Sequence, residues 1–139
     1  MVNTLSILFL SYISVLIGRF LFETDRISID MVLASICLYL LIGLLWAFIY
    51  QLIEVNHSGA FRFTSLDSFP LDPRSMRREF IYYSYVTIST LGYGDITPVT
   101  RIARSWAVLE TLTGQIYIAV VIARLVGLYI SSPRKHENK

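Results

Sequence analysis

The sequence predicts an all-α membrane protein, on the evidence of its composition and of two long apolar stretches. Hydrophobic residues make up 55% of the 139 residues and charged residues 16%, whereas soluble domains average about 45–50% and about 25%. Residues 31–53 carry no charge, and residues 102–130 carry only three charged side chains. This composition argues against a disordered chain, a coiled coil or a soluble nucleic-acid-binding protein. The net charge of +2 is too small to indicate a polyanionic partner.

The N-terminal residues 2–18 form the first apolar segment. They are 17 uncharged residues, at the lower limit of the roughly 17–25 that a membrane-spanning helix needs. We therefore predict a hydrophobic helix that either spans the bilayer or lies at its interface. Residues 19–30 mix acidic and basic side chains and are expected to form a solvated connection.

The next two segments are an outer helix and an aqueous loop. As a helix, residues 31–53 would be about 35 Å long, enough to cross a hydrocarbon core of about 30 Å. Cys37 is the only cysteine, which excludes an internal disulfide, and it is expected to be a small core residue. Residues 54–79 contain four arginines, four acidic residues and two prolines, so we predict a loop in water with His57 at its surface.

Residues 80–94 are apolar but too short to cross the membrane. These 15 uncharged residues would make a helix of about 22 Å, which suits a segment that enters the bilayer and returns. Asp72 and Pro73 supply a cap and a first helical residue for a short helix. Gly92 and Gly94 then favour an extended backbone with unusual angles. Because non-helical backbone at membrane depth is tolerated only where it is buried or lines a watery cavity, this segment indicates a pore.

The residues at 90–95, Thr-Leu-Gly-Tyr-Gly-Asp, resemble the selectivity filter of tetrameric potassium channels. The order of outer helix, re-entrant pore helix, filter loop and inner helix over residues 31–130 is also similar to that family. The resemblance implies that K⁺ binds the backbone carbonyls of Thr90, Leu91, Gly92 and Tyr93 and the Thr90 hydroxyl. It further places Gly94 in the filter and Asp95 at the outer mouth.

A filter of this kind also implies an assembly. A ring of carbonyl oxygens can replace the hydration shell of a permeant ion without adding a fixed charge. One strand cannot surround an ion, so the resemblance implies a homotetramer in a lipid bilayer, with K⁺ as permeant ion and no cofactor. The sequence contains no Gly-rich phosphate loop, nucleophile elbow or paired histidines, so we expect neither an enzyme nor a nucleic-acid partner.

Several positions near the filter differ from common family members. Tyr82 and Tyr83 stand where many members carry tryptophans, and are expected to support the filter with hydroxyls directed toward Tyr93. Leu91 replaces a frequent valine. Val86 occupies a position that is glutamate in some members, so a carboxylate contact from there to the outer mouth is absent.

The inner helix, residues 102–130, carries the remaining candidates. Gly114 stands where the family places a gating hinge, although close helix packing is an equal alternative. Gln115, Ile118 and Ile122 share one helical face and are expected to line the cavity, with Ala119 and Val120 facing neighbouring helices or lipid. Glu110 is expected to contact the pore helix or an adjacent subunit, and Arg124 to extend to the cytoplasmic interface.

Together these features predict a potassium-selective channel. We divide the chain into an N-terminal hydrophobic helix and connection (1–30), a pore domain (31–131) and a short cytoplasmic tail (132–139), without a voltage sensor or ligand-binding domain. The alternatives are a weakly selective cation channel and a non-conducting subunit of a larger channel. Positively charged residues occur on both sides of the predicted spans, so their distribution does not show which side of the membrane faces the cytoplasm. The resemblance implies a multi-pass protein of the cell membrane with the filter outside and the C-terminus in the cytoplasm.

Overall fold

The computed structural model describes residues 2–23, 28–64 and 72–131. Within these ranges the chain forms four helices and two short strands. In chain order they are α1 (Val2–Glu23), α2 (Ile29–Asn56), β1 (Phe61–Phe63), α3 (Pro73–Ile88), β2 (Ile96–Pro98) and α4 (Arg101–Ser131). The expected cytoplasmic tail, residues 132–139, lies outside the described residues.

Three of the described helices are long and apolar enough to cross a bilayer. They are α1 over Thr4–Glu23, α2 over its whole length and α4 over Arg101–Ile130. By contrast, α3 has 16 residues, which at about 1.5 Å per residue is too short to cross. The predicted all-α membrane fold is confirmed.

Helix α1 continues five residues beyond the predicted end at residue 18. Arg19 and Glu23 lie one turn apart and form an exposed ion pair of 3.5 Å, which keeps both charges on the helix surface. Leu21 is buried against Met31 and Leu38 of α2. The prediction of a solvated connection over residues 19–30 was therefore wrong at both ends, because α1 continues into it and α2 begins within it.

Helix α2 also extends beyond its predicted end, into the expected loop. Its N-terminus is capped by Ser28, whose hydroxyl accepts from the Met31 amide. Near its C-terminus, Glu54 is buried, and its carboxylate accepts from the amides of Gly59 at 2.7 Å and Phe61 at 3.0 Å. The carboxylate thus satisfies the backbone of the turn that leaves the helix, and residues 54–79 are not wholly an aqueous loop.

A small antiparallel sheet connects that turn to the segment after the filter motif. Strand β1 pairs with β2 in the register Phe61 to Pro98, Arg62 to Thr97 and Phe63 to Ile96. Phe61 is buried in a cluster of edge-to-face rings with Tyr50, Phe80 and Tyr83. This aromatic core lies between α2, α3 and the sheet, and it fixes the position of α3.

Cys37 does not belong to this core. Its side chain is exposed on α2, so the expectation of a small core residue was wrong. An apolar run in a membrane helix is apolar on every side, so the run itself does not show which residues face the protein.

Candidate ion pore

Helix α3 begins where the cap was predicted. Asp72 accepts from the amides of Arg74 at 3.1 Å and Ser75 at 3.3 Å, and Pro73 is the first helical residue. Hydrogen bonds from Ser75 are the main cause that lowers the pKa of Asp72. The cap therefore remains ionised and functional at neutral pH.

The backbone after α3 alternates between left-handed and ordinary angles. Thr90, Gly92 and Gly94 have φ of 62°, 58° and 79°. A Cβ at either glycine would meet nothing within 4 Å, so within one chain the glycines are required for their backbone angles rather than for space. The left-handed angle at Thr90 has no glycine to mark it, and sequence reasoning missed it.

The start of this segment is bonded to the C-terminal turn of α3. The carbonyl oxygen of Val86 accepts from the amides of Leu91 at 2.9 Å and Gly92 at 3.3 Å. The Thr90 amide donates to the carbonyl oxygen of Thr87 at 2.9 Å. Any shift of the end of α3 would therefore move the first residues of the filter motif.

Within the described part of the chain, no cluster of His, Cys, Asp and Glu side chains could hold a metal ion. The candidate cation ligands remain those expected from the sequence, the carbonyls at residues 90–93 and the Thr90 hydroxyl. The side chains of Leu91 and Tyr93 are 55% and 66% exposed. They leave a surface that other protein could cover.

The two tyrosines expected to support the filter have different surroundings. The Tyr82 hydroxyl donates to Asp95 at 2.6 Å, and its ring stacks on Tyr93 at 6.5 Å between centroids. This hydrogen bond is the main cause that raises the pKa of Tyr82 to about 12. Tyr83 instead packs in the aromatic core against Tyr50. Tyr82 therefore contacts the filter segment within the chain, but its hydroxyl bonds Asp95 rather than pointing toward Tyr93.

Gly114 of α4 packs closely against the end of α3. A Cβ built on Gly114 would lie 2.7 Å from Ile88 Cγ1 and closer still to the Ile88 carbonyl oxygen. The α-helix itself runs without a break from Arg101 to Ser131. The packing alternative for this glycine thus has a specific partner in the structure.

The three candidate cavity residues lie on a face of α4 that the chain leaves open. Gln115, Ile118 and Ile122 are all exposed, as are Ala119 and Val120. Ile118 and Ile122 border a shallow groove with Tyr39 of α2. One chain leaves both faces uncovered, so the cavity assignment stays a prediction.

Glu110 is fully buried and contacts the pore helix, as expected. Its carboxyl group bonds the hydroxyls of Ser84 in α3 and Tyr50 in α2. Sequence reasoning missed both partners, because a serine and a tyrosine within apolar segments carry no signal of a buried polar cluster.

Arg124, which is expected to extend to the cytoplasmic interface, bonds a second helix of the same chain. Its guanidinium donates to the carbonyl oxygen of Phe22 at 2.8 Å and lies over the Phe22 ring. That carbonyl is in the last turn of α1, where helix carbonyls have no intrahelical partner and carry partial negative charge. Arg124 therefore joins the far end of α4 to α1.

Comparison with known proteins adds sequence relatives. Residues 34–131 match the profile of a family described as ion channel. The chain is 35% identical to Protein LctB of Bacillus caldotenax over 103 residues, covering 74% of this chain and 75% of that protein. It is 36% identical to Protein LctB of Geobacillus stearothermophilus over 104 residues, with the same coverage. Two pore potassium channel c of Oryza sativa subsp. japonica is 32% identical over 56 residues, 40% of this chain and 12% of that protein. No solved structure matches the chain.

Proposed function

The chain belongs to the two-transmembrane, pore-loop family of ion channels, and we propose on this basis that it forms a potassium-selective pore as a homotetramer. The observation that carries the proposal is the alternation of positive φ at Thr90, Gly92 and Gly94. With every second residue left-handed, successive carbonyls can point to one side of the strand. A ring of such carbonyls can replace the hydration shell of K⁺.

The position of the filter motif supports an ion pathway at membrane depth. The motif follows the C-terminus of α3, and the C-terminal end of a helix dipole carries partial negative charge that favours a cation. Two helices long enough to cross a bilayer, α2 and α4, flank it in the chain. Non-helical backbone in such a place is stable when it lines a watery cavity.

The proposed homotetramer is supported by the fact that one chain cannot complete a ring of carbonyls around an ion. A single strand of carbonyls cannot surround an ion, and the side chains of Tyr93 and Leu91 stay mostly exposed in one chain. Copies related by fourfold symmetry would cover these side chains and close the ring. Potassium, rather than cations in general, is favoured by the filter motif and by the similarity to the rice two pore potassium channel.

We orient this pore with the filter outside and the C-terminus of α4 in the cytoplasm of a cell. If α1 also crosses, its C-terminal end lies at the cytoplasmic side, since Arg124 near the end of α4 bonds Phe22. The N-terminus would then lie outside. Protease protection of an N-terminal tag in sealed vesicles measures this directly.

The test of the proposed function is ion flux into liposomes that contain only this purified chain. We expect K⁺ uptake well above that of empty liposomes, with Na⁺ uptake near the background, and a tetramer after chemical cross-linking. Equal Na⁺ and K⁺ uptake would favour the weakly selective cation channel. Folded tetramers that pass neither ion would favour the non-conducting subunit.

A further inference from the structure

A buried carboxyl group lies behind the pore helix, outside the filter. Glu110 of α4 has no exposed surface in the single chain, so its burial does not depend on neighbouring subunits. Its Oε2 is in contact with the Tyr50 hydroxyl from α2, and its Oε1 with the Ser84 hydroxyl from α3. Three helices thus meet at this one side chain.

The contacts in this cluster require more protons than the two hydroxyls supply. Ser84 Oγ lies 2.7 Å from the carbonyl oxygen of Gly43 and also within bonding distance of Glu110 Oε1. A carbonyl can only accept, so the single Ser84 proton is used there. Because the Tyr50 proton serves Glu110 Oε2, the contact between Ser84 and Glu110 needs a proton on Glu110 itself. A protonated carboxyl group satisfies all three contacts.

The electrostatic surroundings also favour the neutral acid. The titratable groups that face Glu110 are Tyr39 and Tyr50 from α2 and Tyr83 from α3, and these are neutral at physiological pH. No Lys, Arg or His ion pair to Glu110 occurs in the described residues. An ionised carboxylate buried without a cation is costly, and a proton removes that cost.

We propose that Glu110 is a positioning residue that carries a proton and, in that state only, holds the pore helix against α2 and α4. Ser84, which it contacts, lies two residues before Val86, whose carbonyl anchors Leu91 and Gly92. Loss of the proton at alkaline pH leaves a buried charge and one contact without a proton. The end of α3 then loosens, and the first filter residues move with it.

The functional part of this inference rests on the proposed potassium pore, and a set of variants tests it. Glu110→Gln keeps one donor and one acceptor in place of the protonated acid. It should conduct K⁺ like the wild type at neutral pH and remain unchanged at alkaline pH, where the wild type loses flux reversibly. Glu110→Ala removes the carboxyl partner of the Tyr50 hydroxyl and leaves it only the Trp106 carbonyl oxygen at 3.5 Å, so we expect flux to fall by about tenfold. The matched control is Glu79→Gln, a carboxylate on α3 outside this cluster, which should keep the wild-type pH profile.

A second readout does not depend on conduction. Infrared difference spectra of the reconstituted protein should show the C=O band of a protonated carboxylic acid at neutral pH. This band should disappear in Glu110→Gln and on raising the pH. Absence of the band from the wild type, or loss of flux in Glu110→Gln as large as in Glu110→Ala, overturns the inference. If no variant passes K⁺, the proposed function fails, whereas the infrared band still decides the state of Glu110.

Discussion

Replacing Gly114 by alanine adds one methyl group where α4 packs closely against the pore helix. The new Cβ would lie 2.7 Å from Ile88 Cγ1, with the Ile88 carbonyl oxygen nearer still. Carbon atoms pack favourably at about 3.5–4.0 Å, so the two helices must separate by roughly 1 Å. The carbonyl belongs to backbone and cannot rotate away as a flexible side chain could.

The expected cost follows from two opposing effects. Overpacking of a close contact typically destabilises by about 1–3 kcal/mol. Alanine in place of glycine inside a helix returns about 1 kcal/mol. We therefore expect Gly114→Ala to lower the free energy of unfolding by up to about 2 kcal/mol in each subunit. Gly127→Ala in the same helix is the matched control, since a Cβ there meets nothing within 4 Å, and it should be neutral or stabilising.

Thermal unfolding of the purified protein in detergent, followed by helical circular dichroism, measures both variants. A net loss of 1 kcal/mol corresponds to a fall of roughly 2–8 °C in Tm for chains of this size. K⁺ flux into liposomes should fall in Gly114→Ala as well, because Ile88 precedes the filter by two residues. If Gly114→Ala unfolds at the wild-type temperature while its flux changes, Gly114 acts as a hinge and the packing argument is wrong.

Three further outcomes are expected. Gly92→Ala should abolish K⁺ flux, because a Cβ at positive φ costs about 1–2 kcal/mol per subunit. Gly59→Ala, which introduces the same strain outside the filter, should keep K⁺ selectivity. Normal flux from Gly92→Ala would contradict the filter assignment. Tyr82→Phe removes the hydroxyl that bonds the Asp95 carboxylate, so K⁺ flux should decline faster over time than in the wild type. If the variant's flux declines at the wild-type rate, this hydrogen bond is dispensable. In a cysteine-free background, a cysteine in place of Ile118 should react with a water-soluble thiol reagent and one in place of Val120 should not; the reverse pattern would mean that α4 is rotated by about half a turn.

The sequence was sufficient for the features that depend on length and on motif. Long apolar runs predicted α2 and α4 to within a few residues, because a membrane helix must be apolar over a fixed length. The cap at Asp72 and the positive φ at Gly92 and Gly94 were also predicted correctly. Each of these depends on local chemistry, which a sequence records directly.

The features that were missed depend on how the folded backbone places each side chain. Glu54 is charged and adjoins a polar stretch, so it was assigned to water, yet its carboxylate accepts two amides of the following turn. Cys37 was assigned to the core on apolar surroundings, but in a membrane helix every face is apolar. The sequence does not identify the acceptor of the Tyr82 hydroxyl, and only the folded backbone shows that it bonds Asp95.

Two ionisable side chains of α4, Glu110 and Arg124, show the same dependence on the folded backbone and connect this helix to the other three. They are 14 residues apart in the chain, about 21 Å along the axis, so they cannot pair with each other. Glu110 joins the N-terminal half of α4 to α2 and α3, and Arg124 joins its C-terminal half to α1. If the C-terminal half of α4 alone moved, the bond between Arg124 and α1 would be strained before the contact of Glu110 with the pore helix was disturbed. Helix α1 is thus bonded to the helix that follows the filter motif, although the family resemblance did not include α1.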